Sequence, residues 1–408
     1  MKALVVFSHL RWNFVFQRPQ HLLSRLAKRW QVIVIEEPMP RSERNELEVF
    51  EAVPGVQVWR PHVTGDAFGF HDDHLPVLKK LIADGMRQHE IEDYWIWFYT
   101  PMALPLATDL EPRGVVYDCM DELSHFKGAP KQLVQRENAL FKMADLVFTG
   151  GRSIYNAKRD RHPDVHCFPS SVDARHFERT EGEHPLQADI PHPRLGYCGV
   201  IDERINLDLI DSIAQARPEW NIVMVGPTVK IDPANLPRHD NIHWLGQQGY
   251  EDLPAFISGW DVCLMPFALN EATKFISPTK TLEYMACGRP SVSTSIRDVV
   301  EPYGHVVRIA DTAEGFIADC EMILQRSPQE QAAHARELAE IVARTSWDNT
   351  ADAMAELIAQ ADELVEGATK QIKSQPFEND SAPLHLANGA QVVSQVANAE
   401  AKRATAAG

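Results

Sequence analysis

Short apolar runs recur along this chain, and stretches with helical spacing fill the intervals between them. Runs of this length, rich in Val, Ile and Leu without strict alternation, predict strands buried on both faces. In the first half they cover residues 3–7, 32–35, 56–59, 94–99, 114–117, 146–149 and 166–168. In the second half they cover 194–198, 221–225, 242–245, 262–266, 291–294 and 306–309. Between them, 20–29, 131–144, 207–216 and 253–258 place apolar residues three and four apart, as amphipathic helices do. Residues 332–364 read as mostly helical with a break near Thr345–Asp348, where Ser346 or Asp348 suits a helix cap. Strands alternating with helices, met twice, predict an α/β chain of two doubly wound parallel sheets.

One stretch of this pattern carries more chemistry than the rest. Ser277 to Gly288 predicts a helix with both ends marked: Ser277 as N-cap, Pro278 at the first helical position, Gly288 left-handed past the end. It follows a strand, so its first turn lies at the carboxyl edge of a sheet, where open α/β folds bind ligands. That turn offers unpaired N–H groups and the positive end of the helix dipole, which suit a phosphate. Lys280 adds a charge there, and Glu283 follows on the same face, about 4.5 Å further along the axis. A cation for a diphosphate and a carboxylate for a ribose diol fit that spacing. An ordinary helix over an apolar stripe of Leu282, Met285 and Ala286, with a solvated Lys–Glu pair, fits it too.

Composition narrows the picture. The chain has 408 residues, long enough for two domains, and is 44% hydrophobic and 24% charged, as soluble globular chains are. Its net charge of −17 argues against broad nucleic-acid binding, which needs a basic footprint. The six cysteines form no Cys-x-x-Cys pair and mostly sit in apolar runs, which points to a reduced, cytoplasmic protein. The opening residues are too short for a signal peptide and read as a first strand. No uninterrupted apolar stretch reaches a membrane-spanning length, so any membrane contact is expected to be peripheral.

The run Pro278–Val292 resembles the nucleotide-sugar motif of two-domain glycosyltransferases with the GT-B fold, the group-1 or family-4-like branch. Residues 169–177 resemble the element closing their first domain; 195–204 resemble the strand and glycine turn that open the second. Residues 241–246 and 253–261 are similar to the stretch before the donor site. Residues 12–21 and 117–121 resemble a narrower branch near the teichuronic-acid-type transferases of bacterial surface polysaccharides. These matches keep their order over roughly the first 350 residues, which single short motifs rarely do.

The resemblance implies two Rossmann-like domains facing a central cleft, the first over 1–185 for the acceptor and the second over 190–345 for the donor. A helix over 346–366 would return to the first domain, and the Ala-, Gln- and Ser-rich stretch 367–408 reads as a disordered tail. It implies a nucleotide-diphosphate sugar as donor substrate, no separate cofactor, no metal, retention at the anomeric carbon, and a glycan or lipid-linked acceptor. Gly199, Ser277, Thr279, Lys280, Thr281 and Glu283 would hold the nucleotide, with Arg204 and Lys280 neutralising the leaving diphosphate. The resembled enzymes carry a second acid eight positions before the ribose-binding one; here that position is Phe275, with Glu271 and Lys274 out of register.

Other candidates come from position alone. Asp118, Asp121, Glu122 and His125 follow a strand whose carboxyl end should face the cleft, and Asp121 is the first choice for touching a sugar. Ser8, His9, Arg11, Arg18 and His21 suit the acceptor side, and Lys230 is a further basic candidate. His21, Arg25 and Lys28 share a helix face that fits anionic headgroups or plain solvent. His71–His74 has metal-ligand residue types, but adjacent residues rarely close on one ion. A nucleotide-sugar epimerase and a noncatalytic nucleotide-sugar or glycan binder remain alternatives to transfer.

Overall fold

The computed structural model of the protein describes residues 2–178 and 182–374. Its first half builds a sheet from β1 (Ala3–Ser8), β2 (Gln31–Glu36), β3 (Glu46–Val53), β4 (Val56–His62), β5 (Tyr94–Phe98), β6 (Val115–Cys119), β7 (Leu146–Thr149) and β8 (Val165–Cys167). The order is β3-β4-β2-β1-β5-β6-β7-β8, parallel except for the β3–β4 pair. The second sheet contains β9 (Arg194–Cys198), β10 (Asn221–Val225), β11 (Ile242–Gly246), β12 (Val262–Met265), β13 (Ser291–Ser293) and β14 (Arg308–Ile309). Its order is β11-β10-β9-β12-β13-β14, parallel throughout. In both sheets the order reverses beside the first strand, β1 or β9, which opens a crevice at the carboxyl edge.

The apolar runs form strands because both sheet faces are covered by helices. In the first half these are α1 (Arg18–Leu26), α2 (Leu75–Gln88), α3 (Leu133–Met143) and α4 (Arg152–Lys158). In the second they are α5 (Leu207–Ala216), α6 (Leu253–Ser258), α7 (Thr279–Ala286), α8 (Arg297–Tyr303), α9 (Ala313–Leu324) and α10 (Pro328–Val342). The strand that the pattern does not announce is β3. It is an edge strand with glutamates at 46, 48 and 51 and no fully buried residue, so it lacks the apolar run that marks the others.

The last helix, α11 (Trp347–Ser374), belongs to the first sheet's core. Trp347, Ala351, Met354, Ala355 and Ile358 pack with Leu22, Leu23 and Leu26 of α1 and with Trp95 and Trp97 of β5. Ser346 caps it, its Oγ accepting from the Asn349 N–H at 3.0 Å. Further along, Asp362 accepts from Trp95 Nε1 at 3.1 Å and pairs with Lys2 and Arg113. The helix continues through residues 367–374, which the sequence assigns to the tail. That segment has no proline, and Ala368, Lys370, Gln371 and Lys373 favour helix enough to carry it past Gly367. The remainder of the expected tail, 375–408, lies outside the described residues.

Candidate active site

The helix expected at Ser277 starts one turn position later. α7 opens at Thr279, because Pro278 holds an extended backbone (φ −68°, ψ 122°) and takes the N-cap position without a side-chain cap. Ser277 instead joins the two domains: its carbonyl accepts from Ser170 Oγ at 2.6 Å and its Oγ accepts from the Ser170 N–H at 3.4 Å. Nearby, Asp298 of α8 accepts from both the N–H and the hydroxyl of Ser153, so a second-domain carboxylate caps first-domain α4. At the far end Gly288 is left-handed (φ 65°), as its position requires.

On this helix Lys280 Nζ lies 3.4 Å from Glu283 Oε2 and 3.2 Å from Thr279 Oγ1. Burial, the largest single influence, lowers the Lys280 ammonium, but the charge and hydrogen bonding of Glu283 together with Cys198 outweigh it and hold the group above its ordinary value. The Glu283 carboxylate is 5% exposed, and its Oε2 has no hydrogen-bond partner among the described residues. Thr281 is a correction: its side chain turns into the sheet, Oγ1 donating to Met265 Sδ at 3.3 Å, so it presents nothing to the cleft. Gly199 after β9 sits at φ 148°, where a Cβ would lie 2.7 Å from Tyr197 Oη and 3.0 Å from Lys280 Cε. Gly226 after β10 is as constrained (φ 147°), since a Cβ there would overlap the Gly199 carbonyl oxygen.

Two cavities meet at Gly199 and Lys280. The larger, about 430 Å³, is walled by Trp12, Phe14 and Phe16 of the first domain and by Gln247, Tyr250 and Glu283 of the second. Gln247 Nε2 donates to the Phe14 carbonyl at 2.6 Å across the seam. Tyr250 is stacked between His176 (4.0 Å, 8°) and Phe16 (4.3 Å, 22°). Its hydroxyl is buried without a partner among the described residues, and burial, with the Glu283 charge next, pushes its pKa up. Sequence reasoning missed Tyr250; the only signal was its place in a glycine-flanked loop after a strand.

The smaller cavity, about 140 Å³, is lined by Arg18, Asp121, Arg204, Ser277 and Thr279. Arg204 is held in a fork by Asp202, Nε to Oδ1 at 2.9 Å and Nη2 to Oδ2 at 2.8 Å. Arg18 is held likewise by Asp118, at 3.0 Å for both contacts, and also donates to the Phe168 carbonyl at 2.7 Å. Asp118 is fully buried under that fork, so it aims an arginine rather than meeting a substrate. Asp121 has no side-chain hydrogen bond to the described residues. Burial raises its carboxyl, against the pull of Arg204 and Arg18.

The neighbouring candidates are committed elsewhere. Glu122 pairs with Lys158 at 2.6 Å. His125 Nδ1 lies 3.4 Å from Glu271, and its ring meets Phe275 edge-on at 5.3 Å. Phe275, standing where the resembled enzymes carry an acid, packs against the first domain's core. Ser8 turns the chain onto Leu10, and Arg11 ties Glu36 to the Glu37 and Pro38 carbonyls. His9 faces Lys230 and is held neutral, its pKa lowered to about 4 by burial and by that lysine. Lys230 itself lies 5.8 Å from the Phe126 ring.

The α1 face expected to meet headgroups or solvent is covered at His21 and Arg25, while Lys28, just past the helix, stays exposed to solvent. His21 stacks on Trp347 at 4.8 Å, Arg25 pairs with Asp173 and Asp348, and Lys28 with Asp348. A helix more than three hundred residues away supplies the partner, which local spacing cannot show. At 71–74, His71 accepts from the Asp73 N–H, His74 contacts the Ala67 carbonyl and Asp72 pairs with Arg136. Among the described residues no cluster of three or more His, Cys, Asp or Glu is placed to hold a metal.

Residues 192–326 match the family described as Glycosyl transferases group 1. The chain is 24% identical over 280 residues to Bacillus subtilis (strain 168) TuaH, named for glycosyl transfer in teichuronic acid biosynthesis, covering 62% of this chain and 68% of that protein. The fold is GT-B. Sucrose-phosphate synthase from Thermosynechococcus elongatus superposes with a TM-score of 0.67 at 16% identity, covering 88% of this chain and 99% of that one. Anabaena Alr3699/HepE, in complex with UDP and glucose, superposes at 0.64 with 14% identity, covering 88% and 100%.

Proposed function

We infer, from a second domain that is a group-1 glycosyltransferase domain, that this chain moves a sugar from a nucleoside-diphosphate donor to a glycan or lipid-linked acceptor in surface polysaccharide synthesis. The carrying observation is the junction at Lys280, where a nucleoside-sized cavity opens into a smaller one between Asp121 and Arg204. In this reading the ribose diol donates to Glu283, and Tyr250 supplies a second ribose contact; both present buried oxygens without a hydrogen-bond partner among the described residues. The diphosphate lies against the first N–H groups of α7, Lys280 and Arg204. As the glycosidic bond breaks, negative charge grows on the leaving diphosphate, and these fixed donors stabilise it without reorganising. Charge neutralisation therefore rests on protein groups rather than on a metal.

The transferred sugar occupies the smaller cavity, where Asp121 from the first domain supplies the carboxylate that Phe275 does not. Retention at the anomeric carbon is part of the proposal, with a leaving-phosphate oxygen accepting the acceptor's proton. The Anabaena complex with UDP and glucose makes uridine the first base to try. The name of the Bacillus relative, which refers to teichuronic acid biosynthesis, supports an acceptor of that polymer type, and a cytoplasmic location beside the membrane is part of the proposal. No helix among the described residues is long and apolar enough to cross a membrane.

Thermal-shift screening of nucleoside diphosphates tests the site: at about 100 times its dissociation constant a ligand stabilises by roughly 2.7 kcal/mol. If no nucleotide shifts the transition, the donor site is wrong. Labelled nucleotide sugars with a membrane extract then test the reaction. Label in lipid or glycan supports transfer, an isomerised donor supports an epimerase, and binding without turnover supports a noncatalytic binder, the alternative that the departure at Phe275 motivates.

A further inference from the structure

The second domain holds another set of cationic side chains in walls that share no residue with the cleft. Between β14, the end of α9 and the first half of α10 lie two cavities of about 330 Å³ and about 450 Å³. Arg326, in the turn joining α9 to α10, and His334, on α10, line both. Arg289 and Arg308 complete the basic walls.

Most polar groups here are already committed. Arg308 is held by Asp319, its Nε at 2.8 Å and Nη2 at 2.6 Å from Oδ1. Arg289 donates to the Ser258 carbonyl. Asp261 takes His192 and the Arg194 N–H, both at 2.7 Å, and Glu330 takes the Ser327 N–H and hydroxyl at 2.7 and 2.8 Å. Glu337 stands 3.8 Å from His334 Nδ1, beyond hydrogen-bond reach. Two atoms remain: Arg326 Nη1 and His334 Nε2 are sealed from solvent with no hydrogen-bond partner among the described residues. A buried guanidinium nitrogen left unpaired is rare in a native fold and marks a place for an ion or ligand. Burial depresses both groups, helped by Arg308 at Arg326 and by Arg326 at His334, against the weaker opposing pull of Glu337 on each and of Glu330 on Arg326.

We propose that this crevice binds a phosphate monoester, its oxyanion bridging Arg326 and His334 and its organic part lying in one of the flanking cavities. A tetrahedral phosphate offers acceptors in several directions, as donors from a turn and a helix require, and a guanidinium matches phosphate oxygens well. The net charge of −17 disfavours non-specific anion adsorption, so saturable binding reports a built site.

The test is calorimetric titration of the full chain with inorganic phosphate and glycerol 3-phosphate, beside sedimentation with vesicles containing phosphatidic acid, whose headgroup is itself a phosphate monoester. Saturable binding is expected in the wild type and in Lys280→Met, which leaves this crevice intact. Arg326→Gln is expected to weaken it by about tenfold or more, the loss of a charge-assisted hydrogen bond. Arg326→Lys, which keeps the charge and loses the fork, is expected to weaken it less and carries the test if the glutamine variant fails to fold by circular dichroism. Vesicle binding that depends on Arg326, without binding of the free esters, assigns the phosphate to a lipid headgroup. Absence of binding to all three probes, or binding unaltered in both variants, overturns the proposal.

Discussion

Replacing Tyr250 with Phe separates the proposed nucleotide contact from simple packing, because two effects of opposite sign are expected. The ring lies between His176 at 4.0 Å and Phe16 at 4.3 Å, and a phenylalanine keeps both stacks. What leaves is one buried hydroxyl without a partner among the described residues. Leaving such a group unsatisfied costs about 1–3 kcal/mol, so its removal should stabilise the empty protein. A gain of about 1 kcal/mol corresponds to a midpoint rise of roughly 1–2 °C for a chain of 408 residues. Nucleotide binding should move the other way. A neutral hydrogen bond to ribose contributes about 0.5–1.5 kcal/mol, so the dissociation constant should rise roughly 2- to 12-fold. Thermal unfolding of the empty protein and calorimetric titration with UDP measure the two terms. Repeating the titration with 2′,3′-dideoxy-UDP should abolish the difference between wild type and variant. A lower midpoint with unchanged UDP affinity would refute the reasoning, since the hydroxyl would then be satisfied within the protein.

Glu283→Gln should weaken ribonucleotide binding by roughly 10- to 150-fold, the range for a charged hydrogen bond, and leave dideoxynucleotide binding nearly unchanged by calorimetry. Asp121→Asn should lower the rate of sugar transfer by at least about tenfold while UDP affinity holds, because Asp121 lines the smaller cavity and not the nucleoside one; equal losses in both would place it on the nucleotide. Stability should also fall with acid. His21 is held neutral by burial, its pKa lowered to about 2 against an ordinary value of 6.5, so below that value only the unfolded chain takes up the proton. The loss is up to about 1.4 kcal/mol per pH unit from this group, starting near pH 6.5 and continuing toward pH 2. Urea unfolding at pH 7, 6 and 5 measures it, and His21→Phe should flatten the slope.

The layers and helix α7 were legible because each rests on local pattern. Apolar runs mark buried parallel strands, and a proline, a left-handed glycine and a Lys–Glu spacing mark a helix end. Groups defined by distant partners were not legible. His21 and Arg25 read as exposed until α11 covers them, and Tyr250 is held at the cleft by stacking on Phe16 from the other domain. Asp118 and Asp121 look alike in sequence. Only the sheet's pleat and the reach of Arg18 show that the first is a buttress and the second faces the cavity. Thr281 belongs to the recognisable motif, yet helical rotation turns it inward.

The bonds between Ser170 and Ser277 make the seam of the two domains and the first turn of α7 one continuous piece. Any widening of the cleft must either break those bonds or pull Ser277 away from the residues that follow it. The N–H groups proposed to hold a leaving diphosphate would then lose their alignment as the domains part. In the proposed function, Ser170 and Ser277 thereby couple grip on the spent nucleotide to closure, alongside the Ser153–Asp298 and Phe14–Gln247 bonds that also cross the seam.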